Sequence, residues 1–98
     1  MAESKIQKKA KIGAWESVSV PFTAPTDGFF KAYLRPSGSG SSYAIYSIND
    51  SANMPNVFRV NSFSGFDEMG VIPVKKGDVI KLASSGGGTT LHAFCPIY

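Results

Sequence analysis

The sequence predicts an all-β fold, an antiparallel β-sandwich of about seven or eight strands, and three observations carry that expectation. Apolar residues recur at every second position through most of the chain, as in 18–22, 29–35 and 42–48, the period of a half-buried strand. Turn-forming clusters of Gly, Pro, Asn, Asp and Ser punctuate that pattern about every eight to fourteen residues, the spacing of a sandwich. Two corner sequences, FTAPTDGFFKAYL at 22–34 and VIPVKKGDVIKL at 71–82, each join two apolar strands through a tight polar turn.

The elements follow in chain order. Residues 2–12, AESKIQKKAKI, hold good helix formers, yet only Ile6 and Ala10 share a helical stripe, and a helix this short is marginal alone. They read as a basic arm or the stub of a stalk over residues 1–13, with the sandwich domain over 14–98, opened by Trp15 after Gly13. Val18, Val20 and Phe22 alternate with Ser17, Ser19 and Pro21 as a first strand. At the first corner Pro25 presets its own φ and Gly28 supplies a positive φ, so Pro-Thr-Asp-Gly reads as a turn. Phe30, Ala32 and Leu34 then form one face, and Phe29, Lys31, Tyr33 and Arg35 an amphipathic opposite face. A loop at 36–41 precedes a strand at 42–48, and a polar connection at 49–55 precedes a strand at 56–63. After the turn at 64–67, the strand at 68–74 carries Pro73, which points to a sheet edge or a strand end. Lys75-Lys76-Gly77-Asp78 is the second corner, a strand runs over 79–83, residues 84–88 form a glycine-rich hairpin loop, and 89–98 close the fold.

Charge and composition exclude several function classes. The net charge of +3 belongs to residues 1–12, where four lysines face Glu3, while the six cations and six anions that follow cancel. A neutral folded body lacks the basic stripe that tracks phosphates, so no nucleic-acid partner is expected. No run approaches the roughly 18 apolar residues of a membrane span. The N-terminal lysines precede no apolar segment, so no secretory signal is expected. The chain is then made in a cytoplasm and leaves it, if at all, by lysis or in a particle. Cys95 is the single cysteine, which removes intramolecular disulfides and thiolate zinc sites and makes it a small buried hydrophobe.

Catalytic constellations are sparse, and no catalytic residue, metal ligand or cofactor is assigned. His92 is the only histidine, and among Leu91, Ala93 and Phe94 it reads as a satisfied structural residue. Asp67-Glu68 is an adjacent carboxylate pair whose strand neighbours point to opposite faces, a solvated loop rather than a calcium or glycosidase site. SSGGGTT at 84–90 lacks both the lysine and the following helix of a phosphate loop.

Aromatic side chains are the richer signal, at 12% of the chain. Trp15, Phe29, Tyr33, Tyr43, Phe63 and Tyr98 cannot share one thin core with Phe22, Phe30, Tyr46, Phe58 and Phe94. A 98-residue chain buries only roughly two-thirds of the surface its unfolded form exposes, so packing these rings around the axis of a homotrimer also relieves a small core. The competing reading is a monomeric carbohydrate-binding module whose outer rings stack on sugar faces.

The residues also carry a family resemblance. The opening at 22–30, the glycine and serine loop at 36–42, IPVKKGD at 72–78 and the ending FCPIY at 94–98 resemble C-terminal domains of phage and prophage tail-fibre or minor structural proteins, which are similar to C1q- and TNF-like jelly rolls. The resemblance spans about residues 14–98 and consists of turn chemistry, so it transfers no ligand residues. It implies a trimeric jelly-roll in a virion, serving as a fibre tip, adhesin or particle-surface protein, and outer rings able to stack on sugars make a cell-surface glycan a candidate partner. Such tips normally end long proteins. The short leader therefore reads either as the remnant of a stalk or as an arm by which a small complete protein holds other virion proteins.

Overall fold

A computed structural model describes residues 11–38, 41–50, 57–63 and 65–98. Eight strands run in order: β1 (Glu16–Ser17), β2 (Phe22–Thr23), β3 (Gly28–Pro36), β4 (Ser42–Ile48), β5 (Val57–Ser62), β6 (Glu68–Val74), β7 (Val79–Gly86) and β8 (Gly88–Pro96). They form two antiparallel four-stranded sheets, ordered β1-β8-β3-β6 and β2-β7-β4-β5. That is the strand order of a jelly-roll sandwich. The expected fold class is therefore present, and Pro73 lies on the edge strand β6, where its missing N–H costs no ladder bond.

Strand alternation places the core. Phe30, Ala32 and Leu34 of β3, Ala44 and Tyr46 of β4, Val60 of β5, Val74 of β6, Ile80 of β7 and Phe94 of β8 are buried between the sheets. Tyr46 and Phe30 are the largest fully buried side chains. Tyr46 presents its ring to Phe30 edge-on at 6.0 Å and meets Phe58 at 5.6 Å, while Phe22 lies 6.0 Å from Phe30 and 5.0 Å from Phe94. Such pairs each add about 0.5–1.5 kcal/mol beyond area burial. Gly70 makes room for the opposite sheet, since a Cβ there would stand 2.7 Å from the Phe58 ring.

Three expectations change in detail. The first strand is split: Glu16–Ser17 pairs with β8, Phe22–Thr23 pairs with β7, and 18–21 cross between the sheets with a cis Val20–Pro21 peptide. Val18, Val20 and Phe22 still pack on the core, because the crossover keeps the same side inward. The glycine-rich segment at 84–88 is no hairpin. Strand β7 continues to Gly86, Gly87 alone turns the chain at φ 75°, and β8 begins in the other sheet. Gly28 has no positive φ; it is needed for space, because a side chain there would strike the Cys95 carbonyl and the Phe94 ring. Expectations for the arm and for 51–56 lie outside the described residues, as does part of the loop at 36–41. Backbone pairing is present from Lys11, whose amide and carbonyl both bond Tyr98, and Ile12 bridges Ile97.

The two corner sequences meet at one end of the sandwich. The Ala24 amide donates to the Asp78 carbonyl at 2.9 Å, the Gly77 amide to the Ala24 carbonyl at 2.8 Å, and the Lys76 amide to Asp27 Oδ1 at 2.9 Å. Gly77 takes φ 91°, the left-handed geometry the turn demands. Asp78 accepts from the Lys75 amide at 2.8 Å and from Asn49 Nδ2 at 3.0 Å, and Asn49 Oδ1 accepts from the Val79 amide at 2.8 Å. These bonds, the Lys75 amide first and Asn49 second, hold the Asp78 carboxyl below its usual range. Its stabilising effect is thus present above about pH 3.9 and lost as pH falls through and below that value. Asp78→Ala is expected to lower unfolding free energy by about 1–3 kcal/mol and to flatten the loss of stability below about pH 4, both read from urea titrations across pH.

Candidate functional site

The outer face of sheet β1-β8-β3-β6 is where the unspent apolar residues gather. Inward Phe30, Ala32 and Leu34 oblige Phe29, Lys31, Tyr33 and Arg35 to point outward. Register aligns Pro73, Phe29 and Cys95 in one row across the sheet, then Val71, Lys31, Ala93 and Ser17, then Met69, Tyr33 and Leu91. Met69, Val71 and Leu91 are 55%, 46% and 51% exposed, and Trp15 43%. Cys95 is buried, with its Sγ donating to the Gly13 carbonyl at 3.1 Å beneath the N-terminal segment.

Polar groups on this face are few and arranged at its centre and border. Lys31 Nζ stands 4.3 Å from the Trp15 ring centroid, a cation–π contact, and among the described residues its ammonium has no carboxylate partner. At the border the Tyr33 hydroxyl donates to Asp67 Oδ2, and Arg35 Nε lies 3.8 Å from the same oxygen. The Asp67 hydrogen bond pushes the Tyr33 phenol up from its ordinary value, so the ring stays neutral. A trough of about 130 Å³ between Ser17, Lys31, Tyr33, Leu91, His92 and Ala93 marks the face beside β1.

The opposite outer face differs in character. Arg59 lies 6.0 Å from the Tyr43 ring, Tyr43 Oη is 3.5 Å from Ser84 Oγ, and Lys81 Nζ bonds Asp50 at 2.6 Å. Its charged and hydroxyl groups thus pair across strands beside Ile45 and Val57.

The six aromatic candidates therefore divide. Trp15, Phe29 and Tyr33 converge on the apolar face, while Tyr43 lies on the polar sheet. Phe63 is 74% exposed after β5, and Tyr98 is 72% exposed at the other end, where its backbone pairs with Lys11. Phe63 shares its end of the sandwich with Phe66, itself 71% exposed, and with the turn at Gly87. There the buried Ser62 donates to the Phe66 carbonyl at 2.5 Å, and Ser42 to the Gly87 carbonyl. Sequence reasoning overlooked Met69, Val71 and Leu91 as members of the face. Their alternation is visible, but only the pairing register places them beside Tyr33 and Lys31. Among the described residues, no group of three or more His, Cys, Asp or Glu is placed to hold a metal.

No protein-family model, curated protein or solved structure matches this chain.

Proposed function

We propose that the domain is a non-enzymatic structural protein of a phage or prophage virion, a homotrimer acting as a fibre tip, adhesin or particle-surface decoration that binds a host surface. The single observation that carries assembly is the apolar outer face of sheet β1-β8-β3-β6. Strands β8, β3 and β6, seven to nine residues long and about 4.8 Å apart, span roughly 400 Å², within the range of about 300–600 Å² in which the largest apolar patch of a protein is often functional. Its central cation favours three-fold over two-fold packing. A two-fold axis through the face would oppose two Lys31 ammoniums, and like-charge juxtaposition is costly. A heterologous ring instead sets the β6–β3 half of one subunit against the β8–β1 half of the next. The end away from Tyr98, with Phe63 and Phe66, is then free for a surface partner, and the lysine-rich leader is available to other virion proteins. The virion assignment itself rests on the resemblance of the corner and C-terminal motifs.

Sedimentation equilibrium at micromolar concentration tests the reading. The expected mass is three times the 10.4 kDa of the chain; a stable monomer overturns it. The second reading, a monomeric carbohydrate-binding module, draws on the trough beside Trp15 and Tyr33. It predicts a monomer that gives glycan-array signals lost on Trp15→Ala.

A further inference from the structure

Among the described residues, His92 and Tyr46 are the titratable side chains that meet in the space between the sheets. The His92 ring stacks on Phe30 at 5.8 Å with an interplanar angle of 19°, and meets Tyr46 edge-on at 5.5 Å. The Tyr46 hydroxyl lies 2.8 Å from His92 Nε2. The same residue holds the crossover by its main chain, since the Val18 amide donates to the His92 carbonyl at 3.1 Å. Between the crossover and β8 lies a cleft of about 460 Å³, lined by Ser17, Val18, Ser19, Val20, Thr90, Leu91 and His92. The imidazole thus has aromatic walls on one side and a hydroxyl-lined opening on the other.

We propose that His92 and the 17–20 crossover form an acid-released latch, in which protonation of the imidazole moves it out toward the cleft, frees Val18, and lets β1 withdraw Trp15 from the apolar face. Among the described residues, the groups around the imidazole give it no counter-ion. Strand β4 offers Tyr46, β8 offers Thr90, the crossover offers Ser17 and Ser19, and β3 offers Lys31 and Tyr33 through the smaller trough. Among the described residues, neither cleft is lined by a carboxylate, and Lys31 is itself a cation. Phe30 supplies only a ring face. A charge created there is stabilised best by water in the cleft.

The direction of the effect follows from linkage. Burial holds the His92 imidazole below its ordinary value, so the closed form stays neutral where a released histidine takes a proton. Stability of the closed form is full above the ordinary value near about 6.5 and falls as pH drops below it. In an assembled protein built as proposed above, the consequence is weaker association in acid, and that consequence alone rests on the trimer reading. The latch is a property of each subunit.

Because the chain has a single histidine and a single tryptophan, the test is clean. Imidazole resonances, Val18 amide exchange corrected for intrinsic rate, and Trp15 fluorescence are followed from pH 7.5 to 5. The expected result is exchange at Val18 that rises several-fold together with a red shift of Trp15 emission as the imidazole titrates. Both responses are expected to vanish in His92→Gln, whose amide can still bond Tyr46 without titrating. An imidazole that titrates while Val18 and Trp15 stay unchanged overturns the latch, as does a folded His92→Gln variant that keeps the acid response. If His92→Gln does not fold, the wild-type titration decides. A monomeric mass at pH 7.5 defeats the assembly reading and leaves the latch measurements valid.

Discussion

Replacing Tyr46 with alanine is expected to destabilise the domain by about 3–5 kcal/mol, the largest loss of any single substitution considered. Tyr46 is fully buried and sits where both sheets meet, against Phe30, Phe58 and His92. Truncation to Cβ removes three ring contacts, opens a cavity too well walled to collapse, and leaves His92 Nε2 without its partner at 2.8 Å. An unpaired buried polar group adds about 1–3 kcal/mol to such a cost. Domains of this size are stable by about 5–15 kcal/mol, so the variant is expected to lose a large fraction of its stability. Tyr46→Phe separates the terms, because it keeps the ring and loses only the hydroxyl; about 1 kcal/mol is expected. Urea unfolding of both variants reads the difference. A Tyr46→Ala cost below about 1.5 kcal/mol would place the centre of the core elsewhere.

The second large effect concerns assembly. Val71→Lys combined with Leu91→Lys is expected to weaken association at least about a thousandfold, or roughly 4 kcal/mol, and to leave the sandwich folded. Both side chains are about half exposed in the isolated domain, so lysine can stand there in water at little cost to the fold. In an assembled face, each lysine brings an unpaired charge beside Lys31 and removes apolar area at about 25 cal/mol per Å². Sedimentation reads the mass and far-UV circular dichroism the fold. Unchanged association with intact sheet structure would remove this face from the interface. The matched control is Ser47→Lys on the polar sheet, where no change in mass is expected.

Much of the architecture is legible along the chain because strand structure announces itself locally. The alternation of Phe30, Ala32 and Leu34 with Phe29, Lys31 and Tyr33 specifies two faces before any partner strand is known. The corner at 75–78 likewise names its own turn, since Gly77 takes the left-handed φ that the spacing demands. Gly28 shows the limit of such reasoning. Its glycine is required by the Cys95 carbonyl and the Phe94 ring, neighbours more than sixty positions away in sequence. The split of the first strand was hidden for a related reason. Residues 17–22 alternate as one strand would, yet β1 and β2 pair with strands in different sheets, and alternation carries no record of which edge a strand joins.

The candidate site divides in the same way. Excess aromatics were countable, and their failure to fit one thin core follows from composition and length. Which of them share a surface was decided by register alone: Met69, Tyr33 and Leu91 are neighbours because β6 and β8 flank β3, while Tyr43 was carried to the other sheet. The two corners also became one feature, joined through Ala24, Asp27, Asn49, Asp78 and Gly77. By itself, then, the sequence determined the strand periods, the turns and the neutral body, all of them set by local φ preference and by which side of each strand avoids water. The tertiary structure decided the apolar face, the setting of His92 against Phe30 and Tyr46, and the fastening of the corners. Each depends on backbone hydrogen bonds between distant segments, and those are made by groups every residue shares.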